Sequence, residues 1–310
     1  MRALSVVVVL PLLLTRLPVE SIAVWYLLMT MVGMQMLADA GFAPTFARVV
    51  AYAMGGRTDL KDLRRTDTSA TGTADWPTIE RIWSTMHVIY ARLAYFCVPI
   101  FALVGTLALI KPMRTLEQPG EGWLAWGVVI FTFAVVLRAN AYGAYLQGVN
   151  QIALLRRWEA ISGLLASFTT IVVLLSGGGL LALVLAHQGW MLLSALRDRA
   201  LARHVESGRA ARFSLVGSDA RVLDAVWSSA IRSGVGVAMS RGVILSSGLV
   251  LAQVADAEAV AAYLLASRLV QMLMDLSNAP FYSKLPSLAR LRAEGRERDM
   301  ELLASRGMRL

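Results

Sequence analysis

The sequence predicts an all-α polytopic membrane protein, an inner-membrane bundle of about eight transmembrane helices. Three observations predict the class. Apolar residues make up 57% of the 310-residue chain and charged residues 16%, whereas soluble domains are roughly a quarter charged. The apolar residues fall in runs of about 20, the length that crosses a bilayer core. Membrane strands would instead be runs of about 10 residues with alternating polarity. The basic residues are concentrated in alternate loops between the runs, as the positive-inside rule requires.

In chain order, the expected spans are Ala3–Leu17, Ser21–Phe42, Val88–Ile110, Gly122–Leu146, Trp158–Leu175, Leu180–Leu196, Ser229–Val254 and Ala257–Pro280. The opening MRALSVVVVLPLLL also resembles the start of a secretory signal, with SIA at Ser21–Ala23 as a mock cleavage site. A hydrophobic span follows at once, however, so a short first helix is the reading. Met29, Met31, Met34 and Met36 in the second span are adaptable packing residues. Residues 55–81, with GGRTDLKDLRRTDTSATGTADWP, read as a polar cytoplasmic loop. GGG at Gly177–Gly179 reads as a turn. Residues 1–199 form an expected six-helix lobe, 200–222 a basic linker with the character of an interfacial helix, and 223–310 the opening two helices of a second lobe plus the start of a further element. Because a new helical pattern begins after Pro286 and the chain stops at Leu310, the sequence is expected to be part of a longer protein.

Placing Lys and Arg on the loops of this topology puts 22 on the side of the amino terminus and three, Arg16, Lys111 and Arg114, on the other. That asymmetry predicts a cytoplasmic amino terminus. It also explains the net charge of +9 without a nucleic-acid partner. The bilayer is the partner implied.

Five arginines remain in or near the spans: Arg92, Arg138, Arg232, Arg241 and Arg268. Arg92 and Arg232 can snorkel to a surface. Arg138, Arg241 and Arg268 lie deeper, where a charge costs about 3 kcal/mol or more unless it faces a bundle interior or a wet cavity. Their planar guanidinium groups suit phosphate oxygens. Arg268 has an alternative partner in Asp275, two turns along the same face. Arg138, Tyr142 and Tyr145 recur at i, i+4 and i+7, a stripe that suits a sugar or head group, or else anchors a membrane interface. The eighth span, with Tyr263, Ser267, Gln271 and Asn278, is too polar to face lipid all round. Gly234, Gly236, Gly242 and Gly248 in the seventh allow close helix approach.

No catalytic constellation is expected, and the protein is read as a non-enzyme without cofactor or metal. His87, His187 and His204 are dispersed, no HExxH, GxSxG or GxxxxGK[ST] pattern occurs, and Cys97 has no cysteine to pair with. A membrane-bound glycan polymerase or ligase would need a large outer loop, and the predicted outer loops are short.

DAGFAPTFARVVAYAMGG at the close of the second span resembles the polysaccharide and O-antigen flippases, and GVNQIALLRRWEA and YLLASRLVQMLMDLSNAPFYSKLPSLARLRAEG match them in style. The resemblance implies the fold shared by multidrug antiporters and lipid-linked oligosaccharide flippases, two six-helix lobes about a central cavity. It further implies a polyprenyl-pyrophosphate-linked glycan as substrate. Arg138, Arg241 and Arg268 are then the expected pyrophosphate contacts, with Tyr142 and Tyr145 beside them. Coupling to an ion gradient is compatible with this class. A drug or metabolite antiporter of the same fold is the alternative, and Asp39 is the acid such a protein would use in the first lobe.

Overall fold

The computed structural model describes residues 9, 11–39, 41–56, 73–215 and 217–293. About half of the expected first span, Ala3–Leu17, lies outside the described residues, while residues 11–16 of it are helical; most of the 55–81 loop and residues 294–310 also lie outside. All regular structure among the described residues is helical: α1 (Val19–Ala38), α2 (Phe42–Met54), α3 (Trp76–Arg114), α4 (Pro119–Gly148), α5 (Ile152–Leu175), α6 (Leu180–His204), a 3-10 stretch (Glu206–Ala211), α7 (Ala220–Val237), a π-turn (Ala238–Gly242), α8 (Val243–Val254) and α9 (Ala257–Ala293). Five of these helices are long and apolar enough to cross a membrane, or six if the bent pair α7 and α8 counts as one span. The chain is an all-α bundle of the kind a polytopic membrane protein forms.

The turns sort into two ends. Residues 115–118, 176–179 and 255–256 share one end, where Glu121 approaches Gly179 and Lys111 reaches Ala255. The α1–α2 elbow and the Arg-rich linker after α6 share the other, called the basic end below. Each end has its own apolar core. Phe46, Ile82, Met86, Leu137, Ala141 and Val226 fill the basic end. Leu27, Leu28, Leu109, Trp126, Val184 and Leu249 fill the far end. α5 adds little to either, burying only Leu155 and Leu174. Its Leu164, Leu165, Phe168 and Val172 are exposed, the all-round apolar pattern of a helix that faces lipid.

Several elements differ from the sequence expectation, among them the seventh span, expected as Ser229–Val254, which bends by 45° between α7 and α8. The segment expected as one span, Ser21–Phe42, breaks after Ala38, and α2 starts separately at Phe42. The third helix is longer than its apolar stretch. Asp75 caps it by accepting from the Thr78 amide at 3.2 Å, Pro77 occupies its first turn, and the helix runs 39 residues. At 1.5 Å per residue this is about 58 Å, nearly twice the bilayer core.

The projecting basic-end part of α3 carries the linker. α6 continues to His204, after which Glu206, Ser207 and Gly208 take left-handed conformations, so the chain turns away instead of extending as a basic helix. Arg209 then lies 4.3 Å over the Trp76 ring, and Phe213 packs against Trp76 and Trp83. Glu80 accepts from the amide and hydroxyl of Ser214 at 2.8 and 2.7 Å. The Ser84 hydroxyl donates to the Gly217 carbonyl and accepts from its amide. Thr85 accepts from the Asp219 amide at 2.8 Å, and Arg81 pairs with the Asp219 carboxylate at 3.7 Å. Asp219 in turn caps α7 through the Arg221 amide.

The helices of the basic end approach closely at glycine. A Cβ on Gly148 would lie 2.5 Å from the Val50 Cβ and 2.9 Å from the Ala47 carbonyl oxygen, whereas Gly163 on α5 faces open space. Gly148→Ala is therefore expected to destabilise the bundle by about 1–3 kcal/mol through overpacking, seen as a lower thermal midpoint in detergent, with Gly163→Ala unchanged or slightly more stable. Glu80 lies outside the membrane-spanning stretch, and its bonds to Ser214 hold its carboxyl below the usual value. A depressed folded-state pKa means that this tie is complete above the ordinary glutamate range and is lost as pH falls through the folded value. Protection of the Ser214 amide against hydrogen exchange, corrected for intrinsic rates, should thus decline in acid, and Glu80→Gln should abolish that dependence.

Candidate functional site

The elbow between α1 and α2 places one carboxylate among four helices. Asp39 ends α1, and its side chain turns onto the start of α2, where Oδ2 accepts from the Ala43 amide at 3.0 Å. Its own carbonyl accepts from the Phe42 amide at 2.9 Å. Oδ1 accepts from the Tyr90 hydroxyl of α3 at 2.7 Å and from Asn140 of α4 at 3.5 Å. Gly41 makes the turn with φ of 74°, a conformation that strains any residue with a Cβ. A Cβ there would also lie 2.6 Å from the Ser233 Cβ and 2.9 Å from the Ala230 carbonyl oxygen of α7.

Next to this hub is an aromatic and basic cluster from α3 and α4. The Trp83 ring packs 4.4 Å from His87, 5.7 Å from Tyr142 and 5.0 Å, edge-on, from Tyr145. His87 also meets Tyr142 edge-on at 5.2 Å. His87 Nδ1 is 2.9 Å from the Trp83 carbonyl. A carbonyl only accepts, so Nδ1 carries the proton and Nε2 is left to accept in the neutral ring. Arg138, Arg199 and Arg203 lie close enough to act electrostatically on His87.

The expected site residues are spread over this arrangement. Arg138 is exposed on α4 beside His87. Tyr142 is half-buried, and Tyr145 is fully buried, with no hydrogen-bond partner for its hydroxyl. The stripe thus runs from the bundle surface at Arg138 into the core at Tyr145. Arg268 is exposed on α9 and acts electrostatically on Tyr26 of α1 and His187 of α6, some way from the Arg138 cluster. The backbone of Arg241 lies in the π-turn, and its side chain is outside the described residues, as is the side chain of Asp275.

A second polar group lies nearer the far end. His187 packs edge-on against Trp25 at 6.1 Å, and the adjacent Gln188 is 0% exposed. His187 Nδ1 and both amide atoms of Gln188 have no hydrogen-bond partner, nor do Gln35 Nε2 and Thr132 Oγ1. Buried polar atoms of this kind are ordinarily satisfied by water or ligand.

Tyr90 and Asn140 were not singled out in the sequence as partners of one acid. The available signal was local: an Asp just ahead of an apolar helix is a residue type that accepts from first-turn amides, as Asp39 does from Ala43. Among the described residues no group of His, Cys, Asp and Glu could hold a metal ion. In comparisons with known proteins, no protein-family profile, curated protein or solved structure matches the chain.

Tyr90→Phe removes the shortest bond to the Asp39 carboxylate and should lower stability by about 1–2 kcal/mol. Asp39→Ala also uncaps α2 and should cost more. Thermal unfolding in detergent measures both, and stability equal to that of the unaltered protein in both variants would mean that the hub does not hold the elbow.

Proposed function

We propose that the intact protein is a flippase that moves a polyprenyl-pyrophosphate-linked glycan across the inner membrane, with its basic end in the cytoplasm. The observation that carries this reading is the exposed guanidinium of Arg138, one turn from Tyr142 on an apolar helix and, with Arg199 and Arg203, close enough to act electrostatically on His87. A guanidinium on an apolar helix calls for an anionic or wet environment. A pyrophosphate supplies the anion, and rings at its side suit a sugar or a carrier lipid. Arg268, exposed on α9 beside Tyr26 and His187, gives a second cation nearer the far end. Two separated cationic positions suit a substrate that moves between them, provided that their relative affinity changes with conformation. Equal affinity in both states would shift no equilibrium. In this reading residues 1–199 are the first lobe of the two-lobed fold and 223–310 open the second.

An ion-coupled antiporter of small molecules is the second reading, and the Asp39 hub favours it. A carboxylate shared by Tyr90 and Asn140 between four helices is a group whose protonation would loosen contacts to two of them. In the flippase reading the same group couples glycan movement to an ion gradient.

Arg138→Ala or Arg268→Ala in the full-length protein is expected to abolish surface glycan in a complementation assay with membrane abundance unchanged. Normal glycan with either variant would remove the flippase reading. Asp39→Asn separates the two readings: an antiporter loses drug or metabolite resistance with it, while glycan export is the activity lost in a coupled flippase.

A further inference from the structure

The bent pair α7 and α8 is tied to α3 at both ends and to other helices between. At the basic end the ties are the Ser214, Gly217 and Asp219 bonds to Glu80, Ser84 and Thr85, the Arg81–Asp219 pair and the Phe213 ring between two tryptophans. At the far end Lys111 donates to the carbonyls of Gln253 and Ala255 at 3.0 Å each, and the Gln253 side chain donates to the Ala108 carbonyl at 2.7 Å. Between these points the pair bends by 45°. It passes over the elbow, where Gly41 touches Ala230 and Ser233, and over Gly33, whose missing Cβ would lie 3.3 Å from Leu245.

The two attachments differ in kind. The basic-end seam joins main chain to side chains along about two turns of α3, Ser84 is buried, and Phe213 packs against the rings of Trp76 and Trp83. At the far end two exposed side chains, Lys111 and Gln253, bond main-chain carbonyls, and beneath them Leu249 and Ala252 share one apolar cluster with Leu109, a contact without directional bonds. Water can replace the Lys111 and Gln253 bonds at little net cost. The break between the two lies in a π-turn, a feature that concentrates at functional positions in helices, and Gly234, Gly236 and Gly242 flank or form it.

We propose that the basic-end seam is a fixed pivot and the Lys111–Gln253 clasp a releasable gate, so that α7 and α8 open away from α3 at the far end by flexing at the π-turn. The linker is then a rigid strap that sets the pivot, and the conformation seen is the one with the gate closed. The proposal does not depend on the substrate, and its test needs none.

Double electron–electron resonance on the full-length protein in lipid nanodiscs tests it, in a Cys97→Ser background. Labels at Arg114→Cys and Glu258→Cys report the far end, and labels at Arg48→Cys and Asp224→Cys report the basic end. The far-end pair should show a closed distance and a second, longer population. Lys111→Met with Gln253→Leu should more than double that population, while the basic-end pair keeps one narrow distance throughout. Two populations at the basic end with one at the far end would overturn the proposal, as would single narrow distances at both ends in the clasp variant. Should the clasp variant fail to fold, the wild-type pair decides, since a single far-end distance there also overturns it.

Discussion

The carboxylate of Asp39 is the interaction on which the basic half of the bundle depends. A chain that turns between apolar helices must satisfy the amides that start the second one, and without water only a side chain can do so. Asp39 meets that need with one oxygen and uses the other to draw Tyr90 of α3 and Asn140 of α4 against the turn. An isolated charge in such surroundings would cost several kcal/mol, and the donors converging on it offset that cost. The same turn brings Gly41 against the backbone of α7. The elbow therefore fixes the later helices as well as the earlier ones.

α3 is the second organising element, and its length explains why. One helix nearly twice as long as a bilayer core has a membrane-embedded part that packs against α4 and a projecting part free to bind the linker. Serine, threonine and glutamate on the projecting part face a segment without regular backbone pairing of its own and provide its hydrogen bonds. Those residues would be out of place in a purely lipid-facing helix. The hydrogen-bonded attachments of the bent pair α7 and α8 at its two ends are consequently made to one continuous helix.

What the sequence made legible was set by range. The apolar stretches within α3, α4, α5 and α6 were readable because hydropathy is a local property, and the helices found there contain the expected spans Val88–Ile110, Gly122–Leu146, Trp158–Leu175 and Leu180–Leu196. The break after Ala38 was missed although Asp39 and Gly41 mark it, because Ala38, Ala40 and Phe42 keep the stretch apolar on average. The basic-end extension of α3 was missed because WPTIERIWSTMH is mixed in polarity, although Asp75 and Pro77 supply the start signal of a helix. The linker composition suggested a basic amphipathic helix, but Glu206, Ser207 and Gly208 divert the chain and the tryptophans of α3 capture it. Among the candidate residues, spacing put Arg138, Tyr142 and Tyr145 on one stripe, and that stripe runs from the surface into the core. The union of Asp39 with Tyr90 and Asn140 was not, since those partners lie 51 and 101 residues away in the chain.

Two indole bonds have a bearing on how such a chain assembles. Trp126 donates to Thr106, and Trp190 donates to Thr169, at 2.9 and 3.0 Å. Each bond ties two consecutive helices, α3 to α4 and α5 to α6, across separations of 20 and 21 residues. Neither needs any later part of the chain. As the polypeptide leaves the ribosome and enters the bilayer, each hairpin can close once its second helix arrives, so that the insertion machinery releases pairs already stapled. The long-range contacts at Asp39 then need only dock finished hairpins against one another.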